Sequence, residues 1–147
     1  MHEKRLTTRL INYWERMKKD GFAPQYERLN PSIINDIWQK CLVLETQPTT
    51  GDPVFTYVHC GEEISAAMGG SLNGTVLSGN KQLYPASAIV KRAPVLFKMN
   101  VLEPIHDEGQ FVNPQGNVVK FRACLLGFAD HNNNVTHVLV GANWRVF

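Results

Sequence analysis

The stretch FTYVHCGEEISAAMGGSLNGTV, from Phe55 to Val76, decides the fold of this 147-residue chain. It starts with strand-favouring Phe, Tyr and Val residues and continues after Gly61 as a short helical run that begins with Glu62 and Glu63. The glycines near its end permit positive φ, so the chain can fold back and lay the helix over a sheet. Such a unit forms a pocket wall without supplying a catalytic group, which favours a sensor or binding module over an enzyme.

The remaining patterns predict an α+β domain with a five-stranded antiparallel sheet and helices on one face. Helices are expected after the Asn30-Pro31 cap and again from Pro85 to Val90, and a long hairpin is expected from Pro104 to Asn117. In the strand that contains Phe121, Lys120 and Arg122 occupy the face opposite the apolar residues. The expected strands are 41–46, 54–60, 95–101, 119–125 and 138–144.

This layout resembles the stand-alone PAS-like sensory proteins of alphaproteobacteria. The resemblance covers nearly the whole chain, and it implies a PAS-like fold and a signalling role. One departure is Gly61, since many PAS domains have Asn at that position and this chain therefore lacks the usual side-chain cap of the following helix. The matching segments are Tyr13-Trp14, Leu29-Asn30-Pro31, Met68-Gly69, Leu72-Asn73-Gly74, KFRACLLGF (Lys120 to Phe128) and THVLVGANW (Thr136 to Trp144).

An N-terminal amphipathic helix is predicted by one apolar stripe, formed by Leu6, Leu10, Trp14 and Met17. If the helix packs on its own domain, Trp14 belongs to the core; if the stripe stays free, it is a docking face for a second copy or a partner. PAS-like proteins often dimerise through such a helix, so the resemblance favours the free stripe. On that interpretation residues 1–22 form the helix, residues 23–147 form the domain, and Trp14→Ala disturbs self-association without harming the fold.

Aromatic and apolar residues on the strands and helices are candidates for a small ligand cavity. For any single one of them, ordinary core packing is the better interpretation. Alternation along a strand also leaves open whether Tyr57 shares a face with Phe97. The candidate set is Tyr57, Met68, Ile89, Phe97, Phe121 and Trp144.

Candidates for metal, cofactor or nucleophile chemistry are weak. His106-Asp107-Glu108 with nearby Glu103 lacks the HExxH spacing of a helical metal site and falls in the expected hairpin loop, where charge is normally solvated. The chain has no CxxCH for covalent haem and no Asn-Cys-Arg-Phe run for a flavin adduct, so the cofactor stays unknown. His59 and His137 are expected to be hydrogen-bonded strand residues, and the three cysteines, Cys41, Cys60 and Cys124, to be structural thiols.

Composition limits the possible partners and the compartment. A net charge of +2 is too small to predict nucleic-acid binding, and no apolar run approaches the length of a membrane span. Three cysteines without a CxxC pair fit free thiols in the cytoplasm. We also expect no room for a kinase, cyclase or DNA-binding output domain, which leaves a homodimer, a signalling partner protein or a small ligand as the expected partners.

The sequence therefore predicts a cytoplasmic, non-catalytic signalling module that binds a small ligand, a partner protein or both. The alternative is a small cavity-containing enzyme of the ketosteroid-isomerase type, in which Asp130 or Glu103 acts as base beside Tyr57 or His59. A third possibility is an interaction domain with a filled core. It differs from the sensor only in having no apolar pocket.

Overall fold

The computed structural model of the protein describes residues 2–18, 21–47, 54–70, 74, 76–78, 87–99 and 103–147. Two short 3-10 helices, Tyr26–Arg28 and Pro31–Ile34, follow the first α-helix. The α-helices are α1 (His2–Met17), α2 (Asn35–Trp38), α3 (Glu62–Met68), α4 (Ser87–Val90) and α5 (Ala93–Met99). The strands are β1 (Cys41–Gln47), β2 (Val54–Cys60), β3 (Val76–Ser78), β4 (Ile105–Val112), β5 (Val118–Ala129) and β6 (Val135–Val146).

All described strands form one antiparallel sheet in the order β3-β2-β1-β6-β5-β4. Five of them are long and confirm the predicted five-stranded antiparallel sheet with helices. The sixth, β3, has only three residues and adds to the edge of β2. Hairpins join β1 to β2 and β4 to β5 to β6, and the crossover after β2 places α3, α4 and α5 against the sheet.

Alternation along the strands divides the apolar side chains into two clusters, one on each face of the sheet. We call them the inner cluster, which packs α3, α4 and α5 on the sheet, and the outer cluster, which packs α1 and α2 on the other face. The inner cluster includes Leu44, Tyr57, Ile64, Met68, Ile89, Leu96, Phe121, Leu125 and Val140. The outer cluster includes Leu6, Leu10, Trp14, Met17, Ile37, Val43, Leu126, Phe128 and Leu139.

The apolar stripe of α1 lies inside the outer cluster. Leu6, Leu10, Trp14 and Met17 are each at most 8% exposed, and the indole Nε1 of Trp14 donates a 2.8 Å hydrogen bond to the carbonyl of Gly127 on β5. Leu10 packs over Gly141 so closely that a Cβ there would collide with it. The stripe is therefore core, which corrects the expectation that it stays free. Its use as a dimer interface stays a prediction that requires α1 to leave the sheet.

A polar contact fixes the outer side of α1 as well. Arg9 forms a bidentate ion pair with Asp36 of α2, and the Arg9 Nη2 atom lies 2.8 Å from Asp36 Oδ1. The Arg9 guanidinium lowers the pKa of the Asp36 carboxyl. At the other end, the Tyr13 hydroxyl accepts a 2.8 Å hydrogen bond from the backbone N–H of Asn30. Both faces of α1 thus contact the rest of the chain.

The predicted strand at 95–101 is wrong, because Ala93–Met99 is the helix α5. Pro94 lies in the first turn of α5, where the missing N–H costs nothing. Ala93 and Leu96 are buried at helical spacing, whereas Val95 is exposed. The alternation of Val95 and Phe97 was therefore coincidental.

The hairpin loop expected from Pro104 to Asn117 is also wrong over most of its length. Ile105–Val112 is the edge strand β4, and only the turn 113–117 connects it to β5. Polar residues hid this strand, because its inward positions include Asp107 and Gly109 next to Phe111. The expected turn at 49–53, the Leu72-Asn73 pair, Val101 and the start of the helix at Pro85 lie outside the described residues.

Candidate functional site

The inner cluster brings together all six residues predicted to line a cavity. Tyr57, Met68, Ile89 and Phe121 are buried in it, and Phe97 and Trp144 are half-buried against it. The ring of Phe97 stacks on Phe55 of β2 with centroids 5.2 Å apart, so α5 reaches the strand that carries Tyr57. Tyr57 and Phe97 therefore belong to the same side of the sheet, a point that strand alternation alone left open.

The Tyr57 hydroxyl is an anomalous group in this apolar surrounding. Tyr57 is 0% exposed, and among the described residues its hydroxyl oxygen has no hydrogen-bond partner. Burial, and secondarily the neighbouring Cys60, raise the pKa of Tyr57, so the hydroxyl stays protonated. Because leaving a buried hydroxyl unpaired costs about 1–3 kcal/mol, such a group marks a position where a polar atom is accommodated.

Two further polar atoms are buried where β2 meets α3, and one of them, Cys60 Sγ, neighbours Tyr57. The Cys60 Sγ and Ser65 Oγ atoms are 2.9 Å apart and both side chains are buried, one at the end of β2 and the other in α3. Their proximity follows from the sharp turn at Gly61 that the sequence singled out. Ser65 cannot be recognised from the sequence, since nothing in its spacing distinguishes a polar residue on the buried face of a short helix.

The start of α3 shows how the missing asparagine cap is replaced. The Gln39 side chain accepts a 2.8 Å hydrogen bond from the backbone N–H of Glu62, and the Gln39 carbonyl accepts from Glu63 and Ile64 at 3.1 and 3.2 Å. A Cβ on Gly61 would overlap the backbone of Gln39. The chain before β1 therefore supplies the cap, and glycine is required at 61 by this close approach.

The His106-Asp107-Glu108 group is divided between the two faces of the sheet. Because it lies on β4 and not in a loop, His106 and Glu108 point away from the side on which Asp107 lies. Asp107 Oδ1 accepts from the Glu108 backbone N–H at 3.0 Å, and Oδ2 is buried without a hydrogen-bond partner in the described part of the chain. In residues 2–147 outside the undescribed gaps, no three metal-ligating side chains converge.

Two strand histidines are hydrogen-bonded, in agreement with the expectation. His59 lies 3.2 Å from the Trp38 carbonyl and stacks on the Trp38 ring at 3.9 Å. Desolvation lowers the pKa of His59 below its usual 6.5.

His137 occupies a row of groups that resembles a catalytic triad. Its Nδ1 atom lies 2.9 Å from Thr136 Oγ1, and its Nε2 atom lies 3.1 Å from a Glu45 carboxylate oxygen. However, the Tyr26 ring covers the imidazole face in a parallel stack at 3.6 Å. Desolvation lowers the pKa of His137, partly offset by Glu45. The arrangement ties the first 3-10 helix to the sheet.

The cysteines are buried free thiols. Burial raises the pKa of Cys124 to about 12 and raises that of Cys41 as well, so neither is a nucleophile at neutral pH.

The two carboxylates considered as isomerase bases, Asp130 and Glu103, are not placed for catalysis either. Asp130 accepts the backbone N–H groups of Asn132 and Asn134 in the β5–β6 turn, and Glu103 is exposed outside the inner cluster. Neither carboxylate belongs to the cluster that holds Tyr57.

The part of the chain that the structure describes contains no helix long and apolar enough to cross a bilayer. No protein-family model matches the sequence, and no curated protein is similar to it at a significant level. Similarity appears instead at the level of solved structures.

Two light-oxygen-voltage structures superpose with a TM-score of 0.50 at 12% sequence identity. One is a light-oxygen-voltage domain studied with a flavin analogue, where the match covers 78% of this chain and 84% of that one. The other is an RNA-binding light-oxygen-voltage receptor, where 86% of this chain matches 37% of the longer receptor. The PAS domain of BvgS from Bordetella pertussis matches over 80% of this chain and 90% of its own, with a TM-score of 0.41 and 13% identity. The sheet order, the helices on its inner face and the two light-oxygen-voltage superpositions together show that this chain has a PAS-like fold.

Proposed function

We propose that the protein is a non-catalytic signalling module that binds a small ligand in the inner cluster. The observation that carries this proposal is the Tyr57 hydroxyl, fully buried among apolar side chains and without a hydrogen-bond partner among the described residues. A ligand with an apolar body and one hydrogen-bonding atom would satisfy it. Cys60 and Ser65 would lie at the same polar end.

The ligand would act by changing how the helices pack on the sheet. Tyr57 stands on β2, whereas Met68, Ile89 and Phe97 stand on α3, α4 and α5, so one molecule among them would contact all four elements. A ligand shifts a conformational equilibrium only if it binds one packing better than another. Contacts to three short helices, which are easily displaced, supply that differential affinity. The signal would pass to a partner protein or to a second copy of the chain.

The groups that suggested an enzyme do not support catalysis. Asp130 is occupied by backbone N–H groups of its own turn, and the His137 ring is covered by Tyr26. An isomerase of the ketosteroid type requires a carboxylate beside the buried tyrosine. Among the described residues, the carboxylate with a buried oxygen on this side of the sheet is Asp107, but it stands on β4, four strands away from the β2 strand of Tyr57 in the sheet order. In keeping with the resemblance, we place the module in the bacterial cytoplasm.

Native mass spectrometry of gently purified protein, recorded with its absorbance spectrum, tests the proposal. We expect extra non-covalent mass, and Tyr57→Phe should remove it while leaving the fold as stable or more stable, because the variant deletes an unpaired buried hydroxyl. Tyr13→Phe is the matched control: its hydroxyl is paired with Asn30, so that variant should lose stability but keep the ligand. The proposal would be contradicted if the wild-type protein had only the mass of the polypeptide itself, or if Tyr57→Phe retained the ligand.

A further inference from the structure

The part of the outer sheet face that α1 leaves uncovered carries a cluster of positive charge. Two rows of side chains cross β4, β5 and β6 there: Gln110, Lys120 and Arg145 in one row, and Glu108, Arg122 and Asn143 in the next. In the following row Gly141 is already covered by Leu10 of α1. We call these two rows the basic face.

The geometry of the basic face places two like charges side by side. Lys120 and Arg145 are direct cross-strand partners, an arrangement that destabilises a sheet. Glu108 is the single carboxylate of the two rows. Its Oε2 atom lies 3.5 Å from Arg122 Nε, so Glu108 does not stand between Lys120 and Arg145. The pair therefore presents two neighbouring cations that the carboxylate of these two rows does not neutralise.

The basic face also has an apolar border and a suitable shape. The Lys120 ammonium lies 5.0 Å from the centre of the Phe147 ring, and that side chain is 61% exposed. The face and this ring line a groove of about 630 Å³ that is open to solvent. An open groove does not enclose a small molecule as ligand pockets do, but it admits a peptide segment.

We propose that the basic face binds an acidic segment of a partner protein, with carboxylates on Lys120 and Arg145 and an apolar side chain on Phe147. The exposed amide group of Gln110 lines the same groove and can bond to a peptide backbone or a carboxylate. The net charge of +2 is too small to favour a nucleic acid, which requires a broad positive surface. The site is separated by the sheet from the inner cluster, so it does not depend on the ligand proposed there.

Lys120→Glu is the informative variant because it separates stability from binding. Opposite charges would then face each other across β5 and β6, so the unfolding midpoint should stay the same or rise. Binding should weaken, since a repulsive charge replaces an attractive one. A residue retained at a cost to stability is typical of a functional site. Lys91→Glu is the matched control, as an exposed cation between α4 and α5 with the same change in net charge.

The experiment is selection of a random 12-residue peptide library on the wild-type protein, followed by fluorescence anisotropy of an enriched peptide. We expect enrichment of Asp and Glu with an apolar residue, affinity that falls with added salt, and binding weakened about tenfold or more by Lys120→Glu but not by Lys91→Glu. If Lys120→Glu does not fold, Arg145→Gln replaces it with the same expectation.

Three results would overturn the proposal. One is a selection without enrichment of acidic residues, and another is equal binding by Lys120→Glu and the wild type. The third is that single-stranded polyadenylate RNA or phosphatidylglycerol vesicles bind through Lys120 more tightly than the peptide. Tyr57→Phe tests the ligand proposal and leaves the basic face intact, whereas Lys120→Glu tests the basic face. Failure of one proposal is therefore distinguished from failure of the other.

Discussion

Trp14→Ala tests whether α1 is an integral part of the domain. Trp14 is 0% exposed, and its indole donates to the carbonyl of Gly127 on β5. Truncating a buried Trp to Ala costs about 3–5 kcal/mol, and losing the hydrogen bond adds about 1 kcal/mol. The sum is a large part of the roughly 5–15 kcal/mol that holds a domain folded. At about 2–4 °C per kcal/mol for a chain of this size, the thermal midpoint should fall by about 10–20 °C.

Urea unfolding followed by tryptophan fluorescence and circular dichroism measures this loss. Trp14→Phe is an intermediate variant, because it keeps most of the packing and removes the hydrogen bond. Its free energy of unfolding should fall by about a third as much as that of Trp14→Ala. Thr8→Ala is the control on the same helix, because Thr8 is exposed and surface changes usually stay within about 0.5 kcal/mol. Deleting residues 1–22 should be at least as harmful as Trp14→Ala, because it uncovers the whole outer cluster.

An unchanged midpoint in Trp14→Ala would refute the reasoning. If the variant also lost self-association in analytical ultracentrifugation, the stripe would be a docking face, as the sequence alone suggested. Residues 1–22 would then be a separable element beside a domain of residues 23–147. Loss of stability without a change in oligomeric state supports α1 as core.

Two other variants probe the Gly61 turn and the response to pH. Gly61→Asn, which introduces the residue usual in similar domains, should destabilise the chain by about 1–3 kcal/mol because its Cβ meets the Gln39 backbone. Gly116→Asn is the comparison: the space around its Cβ is open and only the positive φ of 84° is strained, a conformation that Asn tolerates better than most residues, so it should lose less stability. A gain in stability at position 61 would contradict the argument. The pKa of His59 is below 6.5 in the folded chain, so its contribution to stability is present above about pH 6.5 and is lost as the pH falls through the folded-state pKa. In urea titrations at pH 7.5 and 5.5, His59→Gln should lose less stability on acidification than the wild type, and equal losses would show that His59 does not carry this dependence.

Several elements could be predicted from the sequence because their patterns are local. The stripe of Leu6, Leu10, Trp14 and Met17 has the period of a helix, and the alternation around Phe121 has the period of a strand. The glycines around α3 correctly placed a sharp turn, since Gly69 does adopt a positive φ. Alternation also assigned Tyr57, Phe121 and Trp144 to one face of the sheet, whereas Phe97 joins them from the helix α5 and not from the predicted strand.

Other elements were misassigned because neighbouring structure overrides a local pattern. Ala93–Met99 alternates like a strand yet folds as α5, and β4 is a strand despite its charged residues because β5 pairs with it along its whole length. Tyr57 could be identified as an aromatic strand residue, but its unpaired hydroxyl depends on atoms from distant segments. The juxtaposition of Lys120 and Arg145 depends in the same way on the register of β5 and β6.

By itself, the sequence determined the fold class, the amphipathic helix, the sharp turn after β2 and the apolar faces of the long strands. Periodicity and glycine conformation express these through residues close together in the chain. Only the tertiary structure decided that α1 covers its own sheet, that Gln39 replaces the cap at Gly61 and that a basic face remains open. Each of these depends on atoms that folding brings together from positions far apart in the sequence, such as Trp14 with Gly127, and no local pattern records that contact.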